Sequence, residues 1–208
     1  MNDSRATGRL RLRHLQEVTE AKAEEMANER PRFERLAGDR SRVVVAFNLF
    51  QTPAPLASRL VNIARQGRDL GRVLEPSAGL GRIYQAIRFV SDARVDLVEI
   101  APQCAPELYA AIANDDAATL HQRDFLTHRG EYDTVIMNPP FKNGTDIKHI
   151  EHARTLLAPG GRLVSLCYAG TRQRAAYGDR WEMLPAGSFR SEGTNADAAI
   201  VVFNKGTP

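Results

Sequence analysis

From residue 72 onward, short apolar runs alternate with segments of helical period, and this alternation constrains the fold more than any other feature of the chain. The runs are Arg72–Leu74, Val95–Ile100, Thr119–Gln122, Thr134–Met137 and Arg162–Cys167, with helical stretches around 82–91, 103–114 and 146–157 between them. Apolar strands separated by helices imply a parallel sheet covered on both faces, an α/β architecture. The end of the chain breaks the pattern. Glu182–Leu184 and Ala199–Phe203 are two strand-like runs joined by a polar, glycine-containing connection, which reads as an antiparallel hairpin.

The chain before residue 72 is of a different kind. Residues 9–30 are rich in Glu, Ala, Arg and Leu without glycine or proline, and read as a charged helix with a thin stripe through Leu12, Leu15 and Val18. Val43–Phe47 then leads into Gln51-Thr52-Pro53, where Thr52 is expected to cap a helix that Pro53 begins. That helix shows apolar positions at Leu56, Leu60, Ile63 and Ala64. We therefore expect an N-terminal helical extension over 1–42 and one domain over 43–208. Residues 1–72 hold fourteen Arg and Lys against nine Asp and Glu, an imbalance that suits a nucleic-acid footprint and equally a solvated helix. Two cysteines, Cys104 and Cys167, without a CxxC pair favour neither a zinc site nor a disulfide framework, and no metal is expected. No apolar run approaches the roughly 18 residues of a membrane span and no secretory signal is visible, so the expected location is cytoplasmic.

Chemistry concentrates at the ends of the strands. Val73-Leu74-Glu75-Pro76-Ser77-Ala78-Gly79-Leu80-Gly81-Arg82 runs from a strand through a glycine turn into a helix, as where a ligand approaches the backbone closely. A dinucleotide loop would want glycine or alanine where Tyr84 stands. The acid Glu75 suits a ligand bearing an ammonium better than one bearing a pyrophosphate. Glu99 ends the next strand, where a carboxylate meets ribose hydroxyls in doubly wound folds. Asp124 and Phe125 follow the third strand, an acceptor for an amino group beside a ring that can pack on adenine. A lone acid at a strand end is most simply a cap; three at successive strand ends beside a glycine loop are harder to explain so.

The fourth strand runs directly into Asn138-Pro139-Pro140-Phe141. The prolines fix φ and remove two backbone donors, leaving rigid carbonyl acceptors, and Asn138 adds a side-chain carbonyl. Two fixed acceptors can hold both hydrogens of an exocyclic NH2 and turn its lone pair towards an electrophilic methyl. Phe141 supplies a stacking face for a planar base. The plainer reading of Pro-Pro after a strand is a stop signal.

These motifs, in this order, resemble the class I S-adenosylmethionine-dependent methyltransferases, and within them the amino-methylating branch. Glu75 to Gly81 is similar to the cofactor loop of adenine-specific DNA methyltransferases of the short phage and plasmid type, and Asn138 to Phe141 to their catalytic motif. Phe47 to Pro53 resembles the segment that touches the methionine moiety, and Gly144–Gly161 the helix and turn after the catalytic motif. The resemblance spans roughly residues 43–204. It implies a Rossmann-like sheet of seven strands, the last antiparallel, and S-adenosyl-L-methionine as cofactor. The binding set it implies is Phe47, Gln51, Thr52, Pro53, Glu75, Ser77, Gly79, Gly81, Glu99, Ile100, Asp124, Phe125 and Asn138. Transfer to the N6 amino group of a flipped adenine in DNA would follow, with Asn138, Pro139, Pro140 and Phe141 as the catalytic set. Restriction-type members carry a large target recognition domain that has no counterpart here. Lys142 and the loop Gly170–Trp181, with Arg172, Arg174, Arg180 and Trp181, are the expected nucleic-acid contacts. Target specificity would then be low, or come from a homodimer or a partner protein. The same motif also occurs in enzymes acting on guanine amino groups of ribosomal RNA and on glutamine amides of release factors. A binding module that has lost turnover is the remaining alternative.

Overall fold

A computed structural model of the chain describes residues 51–207. The N-terminal extension expected over 1–42, the helix expected within it, and Phe47 lie outside the described residues. The elements follow in the order α1 (Ala54–Arg65), β1 (Val73–Pro76), α2 (Arg82–Val90), β2 (Val95–Glu99), α3 (Ala105–Ile112), β3 (Ala118–Gln122), β4 (Tyr132–Met137), α4 (Thr145–Thr155), β5 (Leu157–Tyr168), α5 (Thr171–Tyr177), β6 (Trp181–Met183) and β7 (Ala198–Asn204).

The seven strands form one sheet in the order β3-β2-β1-β4-β5-β7-β6. Pairing is parallel from β3 to β5, and β7 lies antiparallel between β5 and β6. This is the Rossmann-like α/β sheet of seven strands that the resemblance implies. Side chains alternate across the sheet, as a period of two requires. Val73 of β1 and Ile136 of β4 join Leu60, Ile83, Ile87 and Leu108 in one core. Leu74, Val135 and Met137 face the other way, against Ile150, Ala153 and Leu156. Strands buried on both faces explain why these stretches read as apolar runs.

Successive strands run outward from β1 to β3, and the chain then returns to place β4 on the other side of β1. The crevice between the carboxyl ends of β1 and β4 is therefore the topological switch point, where ligands bind in open α/β sheets.

Three sequence expectations need correction. Thr52 does not cap α1; Pro53 holds the cap position without a side-chain hydrogen bond. The Thr52 hydroxyl is engaged elsewhere, as described below. β5 begins at Leu157 rather than Arg162, because Leu157 pairs with Tyr132 ahead of a register shift. The segment Gly170–Trp181 is not a loop: it holds α5 and a short 3-10 turn, Gly178–Arg180, and Trp181 begins β6. The terminal pair agrees with expectation: β6 and β7 pair antiparallel, and β7 lies antiparallel beside β5 as part of the one seven-stranded sheet.

Candidate active site

The strand ends surround a cavity of about 410 Å³ that draws residues from every segment entering the switch point. Gln51 and Thr52 come from before α1, and Glu75, Ser77 and Gly79 from the loop after β1. Glu99 and Ile100 follow β2, Asp124 and Phe125 follow β3, and Asn138 to Phe141 follow β4. Pro53 and Gly81 are not in the lining; they are the N-cap residues of α1 and α2.

The loop after β1 is shaped by backbone that turns left-handed three times, at Ser77 (φ 58), Gly79 (φ 57) and Gly81 (φ 75). Two of the three positions are glycine, as this region favours. A Cβ at Gly81 would also stand 3.2 Å from the Leu108 side chain, so glycine here lets α2 start close against α3. Ser77 adopts the conformation without that freedom. Its hydroxyl lies 3.3 Å from Nδ1 of His149 on α4, a contact that helps hold it.

The three acids meet different fates. Glu75 is 1% exposed, and its Oε2 has no hydrogen-bond partner among the described residues. Burial pushes its carboxyl well above the usual range; backbone amides of Tyr84 and Ile83 act in the opposite direction, while Glu99 adds to the rise. A buried, unmatched carboxylate oxygen beside a cavity is chemically suited to a cationic ligand group. Glu99 accepts one hydrogen bond from Gly79 N–H and another from Ala101 N–H, each 2.8 Å, so it fastens the glycine loop to the end of β2. Asp124 is exposed and accepts from Leu126 N–H at 2.9 Å, capping a short turn.

Phe125 sits lower than the sequence suggested. It is 3% exposed, packed between His149 and His152 with ring centroids 5.3 and 4.9 Å away. The exposed apolar surface at this end of the cavity comes instead from Ile100, 63% exposed, and Leu126. The unexpected lining residues are Ala78, Arg82, Ile83, Val98, Ala101, Gln103, Arg123, Leu126, Thr145 and His149. His149 had a legible signal: it shares the inward face of α4 with Asp146, Ile150 and Ala153. Burial lowers the His149 imidazole below its usual value, opposed by Asp124 and Asp146 and assisted by His152.

At the Asn138 turn, Nδ2 of Asn138 donates to Thr52 Oγ1 at 3.1 Å. In this arrangement the amide nitrogen faces Thr52 and the carbonyl oxygen lies on the other side of the group. Phe141 is half-buried, with Tyr168 and Phe189 each 6.4 Å away between ring centroids. Lys142 and Arg174 are exposed, and the Arg172 guanidinium lies against Gly144. Arg180 is elsewhere, stacked over Phe203 of β7, and Trp181 packs on the core under α4. The structure thus brings together the strand-end acids and the Asn138 turn, but not Arg180 and Trp181.

The fold matches solved structures that share little sequence. A Pyrococcus horikoshii protein, provisionally assigned as an RNA methyltransferase, is 19% identical with a TM-score of 0.60 over 76% of this chain and 85% of its own. TrmN of Thermus thermophilus is 20% identical with a TM-score of 0.57, over 73% of this chain but only 48% of its own length. An RNA methyltransferase of Salinibacter ruber, solved with S-adenosyl-L-homocysteine, is 20% identical with a TM-score of 0.55 over 76% of this chain and 95% of its own. No curated protein matches the chain significantly by sequence. Fold and family define an S-adenosylmethionine-dependent methyltransferase. Within that class, residues 56–176 match the methyltransferase small domain, and the chain belongs to that family. Among the described residues no helix is long and apolar enough to cross a membrane.

Proposed function

We propose that the chain methylates the exocyclic amino nitrogen of adenine in DNA. The observation that carries this reading is the Asn138-Pro139-Pro140-Phe141 turn, which lines the cavity at the switch point with the Asn138 amide oriented by Thr52. The residues present also fit the cofactor. The unmatched, buried oxygen of Glu75 suits its ammonium, and Glu99, already fixed by two amides, keeps lone pairs for ribose hydroxyls. Asp124 suits the adenine amino group, with Ile100 and Leu126 as apolar contacts for the ring. When bound, S-adenosylmethionine supplies a methyl group on a positively charged sulfur.

The protein's own part is positioning. The Asn138 side-chain oxygen and the Pro139 carbonyl accept the two amino hydrogens, which directs the nitrogen lone pair at the methyl carbon. These acceptors strengthen as positive charge develops on the nitrogen, so they favour the transition state over the ground state. No strong base is needed before attack, since the lone pair is already present; as the N–C bond forms the methyl–sulfur bond would break, leaving the neutral thioether of S-adenosylhomocysteine, and the surplus proton on nitrogen then leaves to water. Phe141 holds the ring by stacking. An adenine paired in a duplex cannot reach the cavity, so it must be extruded or single-stranded.

Thr52 tests the orientation argument. Thr52→Val keeps the shape and removes the acceptor of the Asn138 amide; it is expected to lower kcat by about tenfold, the worth of one hydrogen bond. Thr52→Ser is expected to retain most activity. Single-turnover kinetics at saturating cofactor checks both.

A second reading is an amino group in RNA, favoured by the fact that similar structures include RNA methyltransferases. Labelled S-adenosylmethionine offered with DNA, RNA and protein pools in parallel separates the two. The expected product is N6-methyladenine in digested DNA. Label in RNA nucleosides alone would favour the second reading, and label in protein alone would overturn both.

A further inference from the structure

The end of β5 carries an exposed aromatic side chain that the mechanism above does not use. Tyr168 is 43% exposed. Its ring centroid is 6.4 Å from that of Phe141, with the planes inclined at 47°. It is not part of the cavity lining, whereas Phe141 is, so the pair continues the aromatic surface of Phe141 beyond the cavity. Exposed tyrosines at strand ends are common and need no function. The framework around this one argues otherwise.

Tyr168 is held from two directions. Its backbone N–H donates to Asp146 Oδ2 at 2.9 Å. Asp146 is fully buried and also takes hydrogen bonds from the Gln173 side-chain amide, at 3.1 and 2.9 Å to its two oxygens. A buried carboxylate is unfavourable unless its lone pairs are met. Here they are met by groups on both sides of the β5–α5 corner. Asp146 stands in the first turn of α4, just beyond the Asn138–Phe141 turn, so one carboxylate fastens the catalytic turn to the corner that bears Tyr168. Gly170 supplies the second constraint. A Cβ there would lie 2.8 Å from Cδ1 of the Tyr168 ring and 3.0 Å from Gln173 Oε1, so the ring and the amide take this arrangement only over a glycine.

We propose that Tyr168 is a substrate-contact residue whose ring, with that of Phe141, forms a two-part seat for the planar base. The inference rests on the reading that the methyl acceptor is the amino group of a nucleobase. A flat ring slipped between two others needs about 7 Å, twice the ~3.5 Å carbon contact distance, and the Phe141–Tyr168 pair is closer and inclined. The base therefore lies across the open V of the two rings, covering Phe141 and meeting Tyr168 along one side. Arg172, whose Nη1 would be 2.7 Å from a Cβ at Gly144, stands at the same rim, where a phosphate flanking the base would pass.

The test uses the full-length protein, single-stranded DNA and RNA containing adenine, and S-adenosylhomocysteine as a probe of the cofactor site. Tyr168→Ala is expected to raise KM for the nucleic acid by about tenfold, with kcat within about twofold and S-adenosylhomocysteine affinity unchanged. Tyr168→Phe keeps the ring and is expected to restore most of the loss. Tyr168→Leu, similar in bulk without a π face, is expected to behave as the alanine variant does and replaces it if that variant does not fold. A wild-type KM in the alanine and leucine variants would overturn the seat while leaving the amino-methylation reading standing. A phenylalanine variant as impaired as alanine would also overturn it, because the hydroxyl and not the ring would then matter. A wild-type enzyme that labels neither DNA nor RNA would overturn that reading, and the seat with it.

Discussion

Asn138→Ala is expected to lower the rate of methyl transfer by about a hundred- to a thousandfold, with S-adenosylmethionine affinity nearly unchanged. That magnitude is the one found when a single preorganised polar group facing developing charge is removed. Positive charge appears on the attacking nitrogen only as the new bond forms, so the lost acceptor matters little while substrates are merely bound. Asn138 sits on a turn whose prolines fix the backbone whether or not its side chain is present, and the alanine variant should fold. Its partner Thr52 does not cap α1, so losing the contact between them does not unmake the helix. Asn138→Asp separates positioning from charge: it restores an acceptor but loses the amide donor to Thr52, and should fall between alanine and wild type. Single-turnover rates, with calorimetry for the cofactor, give both numbers. An alanine variant with full turnover would remove Asn138 from the proposed mechanism.

How much of this was legible in the sequence depends on whether a local rule or a long-range contact decided the matter. The succession of strands and helices and the sites of the acids followed from local signals: apolar runs, a glycine turn, and Asn-Pro-Pro immediately after a strand. Glu75 and Glu99 could be located by spacing. What they do could not, since the unmatched oxygen of Glu75 and the two amides on Glu99 depend on how the loops after β1 and β2 meet. Thr52 shows the limit most plainly. Threonine before proline at the start of an apolar period is a good helix cap by every local rule. The fold gives its hydroxyl to Asn138, 86 residues away, instead. The same limit applies to Gly170–Trp181, where polar, arginine-rich composition suggested a loop. Gln173 and Tyr177 are buried there, one bonded to Asp146 and the other edge-on to Phe203. Tertiary contacts thus make a helix of a segment whose composition does not announce one. Asp146 itself carried no sequence signal beyond helical spacing, because its partners come from β5 and α5.

Glu75→Gln is expected to weaken S-adenosylmethionine binding by roughly ten- to a hundredfold, the worth of a charge-assisted hydrogen bond of about 1.5–3 kcal/mol. The same substitution should leave the ligand-free protein at least as stable as wild type. Glutamine keeps the shape and an acceptor for the neighbouring amides, and removes a carboxyl that burial holds well above its ordinary range. The sign follows from linkage. A carboxyl whose folded-state pKa is raised contributes stability that is fully present below its unfolded pKa and is lost as pH rises through the folded one. Ligand-free wild type should therefore lose stability as pH rises from the ordinary carboxylate range through the raised pKa of Glu75, and the glutamine variant should not lose that part. Binding reverses the balance. An ammonium beside Glu75 favours its charged form, so the group gives up a proton when the ligand arrives. Affinity should then fall as pH is lowered through the raised pKa, with proton release visible as a dependence of the binding enthalpy on the buffer used. In the glutamine variant both the pH dependence and the proton release should disappear. Thermal melts across pH and calorimetry in two buffers make the comparison. If Glu75→Gln binds the cofactor as well as wild type and releases the same proton, the ammonium lies elsewhere and the unmatched oxygen of Glu75 has another purpose.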